Sequence, residues 1–153
     1  MRITEFLKLE AIVSHLAART KADVLTELAA SVSKVTPAVP VTRIHEVLSE
    51  REKIGSTGME KGVAIPHGRL AEIVDLVACF GVSKLGIDFD ARDNRPSHFF
   101  FALVAPENSA GVHLKALSKV SRLFRSDALR EAILAANTPE EIYALIAQED
   151  GKA

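Results

Sequence analysis

A mixed α/β sandwich folded as a single domain is what this sequence predicts. Two unbroken apolar runs occupy its middle, Val74 to Val82 and Ser97 to Ala105, rich in β-branched and aromatic residues and bounded by turn residues. Such runs suit strands buried on both faces of a sheet. Segments with helical spacing lie before and after them. No repeat, low-complexity tract or Ser/Gly-rich linker divides the 153 residues, a length that suits one domain with a real core.

The elements follow in order. Ala11 to Leu16 fits helix and strand templates alike. After Thr20 the set Val24, Leu25, Leu28 and Val32 recurs at helical spacing and stops before the Pro37 to Pro40 stretch. Thr42 is the expected N-cap of a short second helix carrying Ile44, Val47 and Leu48. Val63 to Ile65 reads as a short strand that Pro66 closes, because proline cannot donate to a ladder. Beyond the two long strands, Leu114, Leu117, Val120 and Phe124 form one helical stripe, with Lys115, Lys119 and Arg122 facing outward. Ser126 caps the next helix, and Thr138-Pro139-Glu140-Glu141 combines a capping box with a proline at the first helical position.

The totals exclude several classes. A net charge of −1 offers nothing global to nucleic acid or to an anionic membrane, so the partner is a protein or a small anion at a local site. One cysteine, Cys79, builds no disulfide framework and fits a reducing compartment, where it serves as a small buried hydrophobe. The first residues lack the apolar stretch of a secretory signal, and no window approaches the roughly 20 apolar residues that span a bilayer. A cytoplasmic protein is expected.

The chemistry gathers around His67. Placed after Pro66, it projects from a strand end, and Gly68 leaves room for a reactant near the backbone. Upstream, Gly55-Ser56-Thr57-Gly58 combines two flexible glycines with two hydroxyls, a loop whose N–H and O–H groups can surround an anion. Arg51 sits just before it with a guanidinium fork that suits phosphate oxygens. A second feature is Pro106 to Leu114, where a buried strand enters a glycine-containing polar loop and a helix starts at about Gly111. Ligands commonly gather at such junctions. His113 lies in the first helical turn on the side of Leu117, toward the sheet, near the positive end of the helix dipole, which disfavours a charged imidazole. Taken singly, His67 reads first as a structural hydrogen-bonding group, and His113 as readily structural as functional.

Together these residues carry a resemblance. Arg51-Glu52-Lys53-Ile54-Gly55-Ser56-Thr57-Gly58, then Gly62-Val63-Ala64-Ile65-Pro66-His67-Gly68, then Ala105-Pro106-Glu107 and His113-Leu114-Lys115-Ala116-Leu117, resemble the enzyme IIA domains of the fructose–mannitol class of the bacterial phosphotransferase system. The likeness runs from about Leu7 to Ile146, and the His113 to Leu123 segment looks most like the nitrogen-regulatory enzyme IIA. The chain departs from the family at Met59-Glu60-Lys61, where a further glycine is usual.

The resemblance implies a mixed sheet of about five strands with helices on both faces, Ala11 to Leu16 being the first strand. It also implies that His67 accepts phosphate, through Nε2, from a histidine phosphocarrier protein that enzyme I charges from phosphoenolpyruvate. His113 assists by hydrogen bonding, and Arg51 is the family's arginine before the loop. His113 and Arg51 then steady the phosphoryl oxygens, with Ser56, Thr57 and Gly68 as lesser phosphate-binding positions. Neither cofactor nor metal is called for, since no carboxylate cluster has ligand spacing. Met59, Val63 and Val112 are candidates for an exposed apolar rim on which the carrier docks.

Three functions are compatible with this reading. The domain signals its phosphorylation state to regulatory targets such as kinases or transporters, passes phosphate to a sugar-specific enzyme IIB, or merely binds an anion or metal through its histidines. The absence of a fused domain and the look of the Leu114 to Leu123 helix favour regulation. His15 and His98 read as structural groups, His45 as solvated, and the Lys115, Lys119 and Arg122 row as a solvated face.

Overall fold

Alternation along the longest strands decides how the chain is layered. In a strand successive side chains point to opposite faces. Phe99, Phe101 and Leu103 enter one apolar cluster while Phe100, Ala102 and Val104 enter another, and all six are buried. Their strand therefore needs helices on both sides. A computed structural model describing residues 1–152 supplies them.

The chain runs through a short 3₁₀ turn Ile3–Glu5, then β1 (Leu7–Val13), α1 (Lys21–Val35), α2 (Val41–Ile54), β2 (Val63–Ala64) and β3 (His67–Leu70). It continues through β4 (Val77–Ile87), β5 (Ser97–Pro106), α3 (Ala110–Leu123), α4 (Asp127–Ala135) and α5 (Pro139–Gly151). The sheet order is β1-β4-β5-β2, with β3 also on β5. β1 is parallel to β4, β4 antiparallel to β5, and β2 and β3 parallel to β5. α1 and α2 share a core with Phe100, Ala102 and Val104, and α3, α4 and α5 share one with Phe99, Phe101 and Leu103. This is the five-stranded mixed α/β sandwich expected.

The caps at Thr20, Ser126 and Thr138 form as the sequence indicates, each side chain accepting the N–H of the residue three positions on. Other boundaries move. The first strand starts earlier than Ala11, at Leu7, because Leu7 pairs with Ala78 and is fully buried. The Val74 to Val82 strand begins only at Val77, since Val74 is 89% exposed. Pro40, not Thr42, caps α2: its carbonyl accepts the N–H of Arg43 and of Ile44. The buried stripe of α3 is His113, Ala116, Val120 and Leu123, so Leu114, 70% exposed, lies outside it. Lys119 is not simply solvated, because its ammonium meets the buried carboxylate of Asp150 at 3.1 Å.

Contrary to the sequence expectation, Pro66 interrupts the edge strand without ending it. Val63 opposes Phe99 and His67 opposes Leu103, the same register on either side of the proline. Pro66 still contributes its carbonyl, which accepts the N–H of Leu103 at 2.9 Å. His67 therefore opens a strand held by β5 rather than hanging from a strand end.

Candidate active site around His67

Because β3 continues the register, its alternation assigns each side chain a face. His67 and Arg69 face α3, where both meet His113. Gly68 and Leu70 face the opposite core, Leu70 being fully buried there. A Cβ on Gly68 would stand 2.2 Å from Cγ1 of Val47 in α2. Close packing of α2 on the sheet calls for a glycine there, and its backbone also borders the cavity beside His67.

His67 is half-buried, and its Nδ1 lies 2.8 Å from the carbonyl oxygen of Ile65. A carbonyl only accepts, so the ring proton sits on Nδ1 and Nε2 keeps its lone pair. Burial holds the His67 pKa below the ordinary histidine value, and the Arg51 and Arg69 charges add to this against the opposing pull of the Ile65 carbonyl and Glu52. A neutral nucleophilic nitrogen at pH 7 results.

His113 is 5% exposed, and its ring meets that of His67 edge to face, centroids 5.3 Å apart. Its pKa falls to about 4, through burial first, then the charges of His67 and Arg69. Nδ1 of His113 is 3.4 Å from Nε of Arg69, and Nε2 is buried with no hydrogen-bond partner among the described residues.

Arg51, near the end of α2, donates through Nη1 to the Gly55 carbonyl at 2.8 Å and so folds the following loop back on the helix. Glu52, beside it, organises that loop further. Its buried carboxylate accepts the Thr57 N–H at 2.9 Å and the Thr57 hydroxyl at 2.5 Å, and pairs with Lys21 at 3.0 Å. The Thr57 carbonyl in turn accepts the Ile65 N–H at 3.1 Å, which ties the loop to the strand carrying His67. Ser56 donates its hydroxyl to the Phe89 carbonyl at 2.7 Å. Both hydroxyl protons of the loop are thus already engaged, although Ser56 and Thr57 line the site.

Two adjoining hollows of about 320 and 310 Å³ share Arg51, His67, Leu114 and Leu117. Their apolar rim is Met59, Leu114 and Leu117. Of the rim positions expected, Met59 is there, but Val63 is 3% exposed and Val112 borders a separate hollow with Phe6 and Val77. At the departure Met59-Glu60-Lys61, Lys61 takes φ 62°, a left-handed conformation that glycine adopts freely. Among the described residues no group of three or more His, Cys, Asp or Glu side chains could hold a metal ion. The other histidines are structural: His15 donates to the Asn137 carbonyl and His98 to that of Ser83, while His45, half-buried, meets Ser49.

Sequence reasoning missed Arg69, Glu52 and Arg92, the last of which lines the second hollow. Arg69 had no signal, because its place on the face of His67 depends on the strand continuing past Pro66. Glu52 had one, since it continues the buried stripe Ile44, Val47, Leu48 of α2. Arg92 arrives from a loop and had none either.

A sandwich that presents a neutral imidazole between arginines has the equipment of a phosphotransferase component. The chain belongs to the family described as "Phosphoenolpyruvate-dependent sugar phosphotransferase system, EIIA 2", whose profile matches residues 5–149. It is 36% identical over 147 residues to a nitrogen regulatory protein of Bradyrhizobium diazoefficiens, covering 96% of this chain and 95% of that one. It is 32% identical over 150 residues to the fructose-specific EIIABC component of Bacillus subtilis, covering 98% of this chain and 24% of that one. Among solved structures, the nitrogen regulatory protein IIA-Ntr of Neisseria meningitidis superposes with a TM-score of 0.88 at 34% identity, covering 94% of this chain and 98% of that one. The mannitol IIA of Escherichia coli shares the fold, with a TM-score of 0.76 at 17% identity, covering 92% and 98%. Proteins of this family carry phosphohistidine and pass phosphate between phosphotransferase partners. Among the described residues no helix is long and apolar enough to cross a membrane.

Proposed function

We propose that His67 is the phosphoryl acceptor and that the protein works in the cytoplasm as a phosphohistidine-based regulator, its phosphorylation state read by target proteins such as kinases or transporters. The observation that carries the assignment is the bond from Nδ1 of His67 to the Ile65 carbonyl, which leaves Nε2 as a lone pair among Arg51, Arg69 and His113. The donor is the phosphohistidine of a carrier protein. A bond forms between Nε2 and phosphorus as the carrier's N–P bond breaks, and the electron pair of the broken bond stays on the carrier's imidazole.

Transfer between two imidazoles needs positioning and charge stabilisation more than covalent help. Arg51 and His113 donate to the equatorial oxygens, which already carry negative charge. Ser56, Thr57 and the Gly68 backbone border the phosphoryl group, with hydroxyl protons that must leave Phe89 and Glu52 before they can donate to it. The experiment combines enzyme I, the carrier, labelled phosphoenolpyruvate and this protein. The wild type takes label, His67→Ala takes none, and His113→Ala takes some at an altered rate; undiminished label on His67→Ala removes the assignment.

Likeness to nitrogen regulatory proteins over nearly the full length of both chains supports regulation over transport. Sugar transport is the second reading, favoured by the match to the fructose-specific component. Phosphate passed on to an enzyme IIB together with sugar uptake would select it. State-dependent capture of targets by the phosphorylated protein, lost in His67→Ala, selects regulation.

A further inference from the structure

Arg69 has no part so far beyond its charge. It shares a strand face with His67, and its Nε lies 3.4 Å from Nδ1 of His113. No acidic side chain lies within ion-pair distance of it among the described residues. A guanidinium carries five N–H donors, no acceptor, and stays protonated in proteins. Whatever stands against its Nε must therefore present a lone pair. A neutral imidazole that offers Nδ1 as the lone pair carries its proton on Nε2. On His113 that atom is buried and without a partner among the described residues, an arrangement costly to keep unless a ligand completes it. The hollow that His113 lines also holds His67 and Arg51.

We propose that Arg69 is a positioning residue: by donating Nε–H to Nδ1 of His113 it fixes the His113 tautomer, so that Nε2–H is held ready for an oxygen of the phosphoryl group on His67. The proposal rests on the reading of His67 as acceptor. No proton moves in this role; Nε2–H donates a hydrogen bond that exists only once the phosphoryl group arrives. Arginine suits the task because it has no alternative protonation state or acceptor atom that would let the ring turn over. His67 and His113 are thereby set as opposites, one with its proton on Nδ1 and the other on Nε2.

The test uses the full chain labelled with ¹⁵N-histidine, with His113→Gln to assign the His113 signals, at a pH above neutrality. Imidazole ¹⁵N shifts distinguish the tautomers directly. Wild type and Arg69→Lys, which keeps a donor-only side chain, are expected to show the Nε2–H form. Arg69→Glu, which presents only acceptors, is expected to move His113 toward the Nδ1–H form. Transfer from phosphorylated carrier is expected to fall about tenfold or more in Arg69→Gln, the cost typical of losing a partner that orients a reacting group, and to recover largely in Arg69→Lys. An unchanged tautomer in Arg69→Glu overturns the pairing. Equal transfer rates in wild type and Arg69→Gln overturn its purpose. A wild-type protein that takes no label overturns the reading of His67 instead, and the tautomer readout, which needs no phosphate, still decides the pairing.

Discussion

The imidazoles of His67 and His113 stand at 75° to each other, the edge of one against the face of the other. Each ring is partly or wholly withdrawn from water, and two arginines border the hollow they share. A proton added to either ring lacks solvation and faces positive neighbours, so both pKa values are lowered. For catalysis the sign is plain: His67, the proposed nucleophile, titrates below 6.5, the ordinary histidine value. The acid limb of single-turnover transfer from pre-phosphorylated carrier should therefore be centred below pH 6.5. An acid limb centred at or above 6.5 contradicts the environment described for His67.

The same protons act on stability. Between pH 6.5 and about 4 the unfolded chain protonates His113 while the native chain does not, so the native state loses stability as pH falls through that window. At about 1.4 kcal/mol for each pH unit, the contribution of His113 reaches about 2 kcal/mol by pH 5. Urea unfolding of wild type and His113→Gln at pH 7.5 and pH 5 checks it. The wild type should lose about 2 kcal/mol more than the variant between the two conditions; equal losses exclude the effect.

Much of the site was legible because its chemistry is local. His67 and the Arg51 to Gly58 loop lie within 17 positions. Only the pairing across the sheet brings His113 to them. The fold class was legible too, since β5 carries apolar residues on both faces. The continuation of the strand past Pro66 was hidden, because it depends on β5 holding the register while one ladder bond is missing. The close approach of Val47 to Gly68 was hidden as well, since it comes from a helix 21 positions earlier. The low pKa of His113 was anticipated from the helix dipole. Burial is its principal cause, and burial depends on the packing of α3 against the sheet.

Glu52 should prove as important to the loop as any residue that lines the cavity. Its carboxylate holds the Thr57 N–H and hydroxyl and pairs with Lys21, which also lies 4.8 Å over the Phe89 ring. Glu52→Ala leaves a buried N–H without its acceptor and Lys21 without its inner partner. A loss of about 1–3 kcal/mol in urea unfolding is expected. Because Glu52 adjoins Arg51 and fixes the loop that Arg51 closes, phosphoryl transfer should slow as well. Unchanged stability and unchanged transfer together would show that the loop holds its shape without this carboxylate.

Gly68 and Val47 offer a separation of packing from chemistry. A methyl group on Gly68 would sit 2.2 Å from Cγ1 of Val47, while the Val47 backbone stays at 3.4 Å and beyond, ordinary van der Waals distance. The clash is therefore with one side chain alone. Gly68→Ala should destabilise the protein by about 1–3 kcal/mol through overpacking. Val47→Ala removes Cγ1 and should cost about as much as other large-to-small core changes. Combined, the two should restore most of what each loses, since the added methyl fills the space that Cγ1 leaves, giving a favourable coupling of 1 kcal/mol or more in the double-mutant cycle. Transfer to His67 in the double variant decides what the glycine is for. If Gly68 answers to α2, labelling proceeds at close to the wild-type rate. If it leaves room for the reactant, stability recovers while labelling stays impaired.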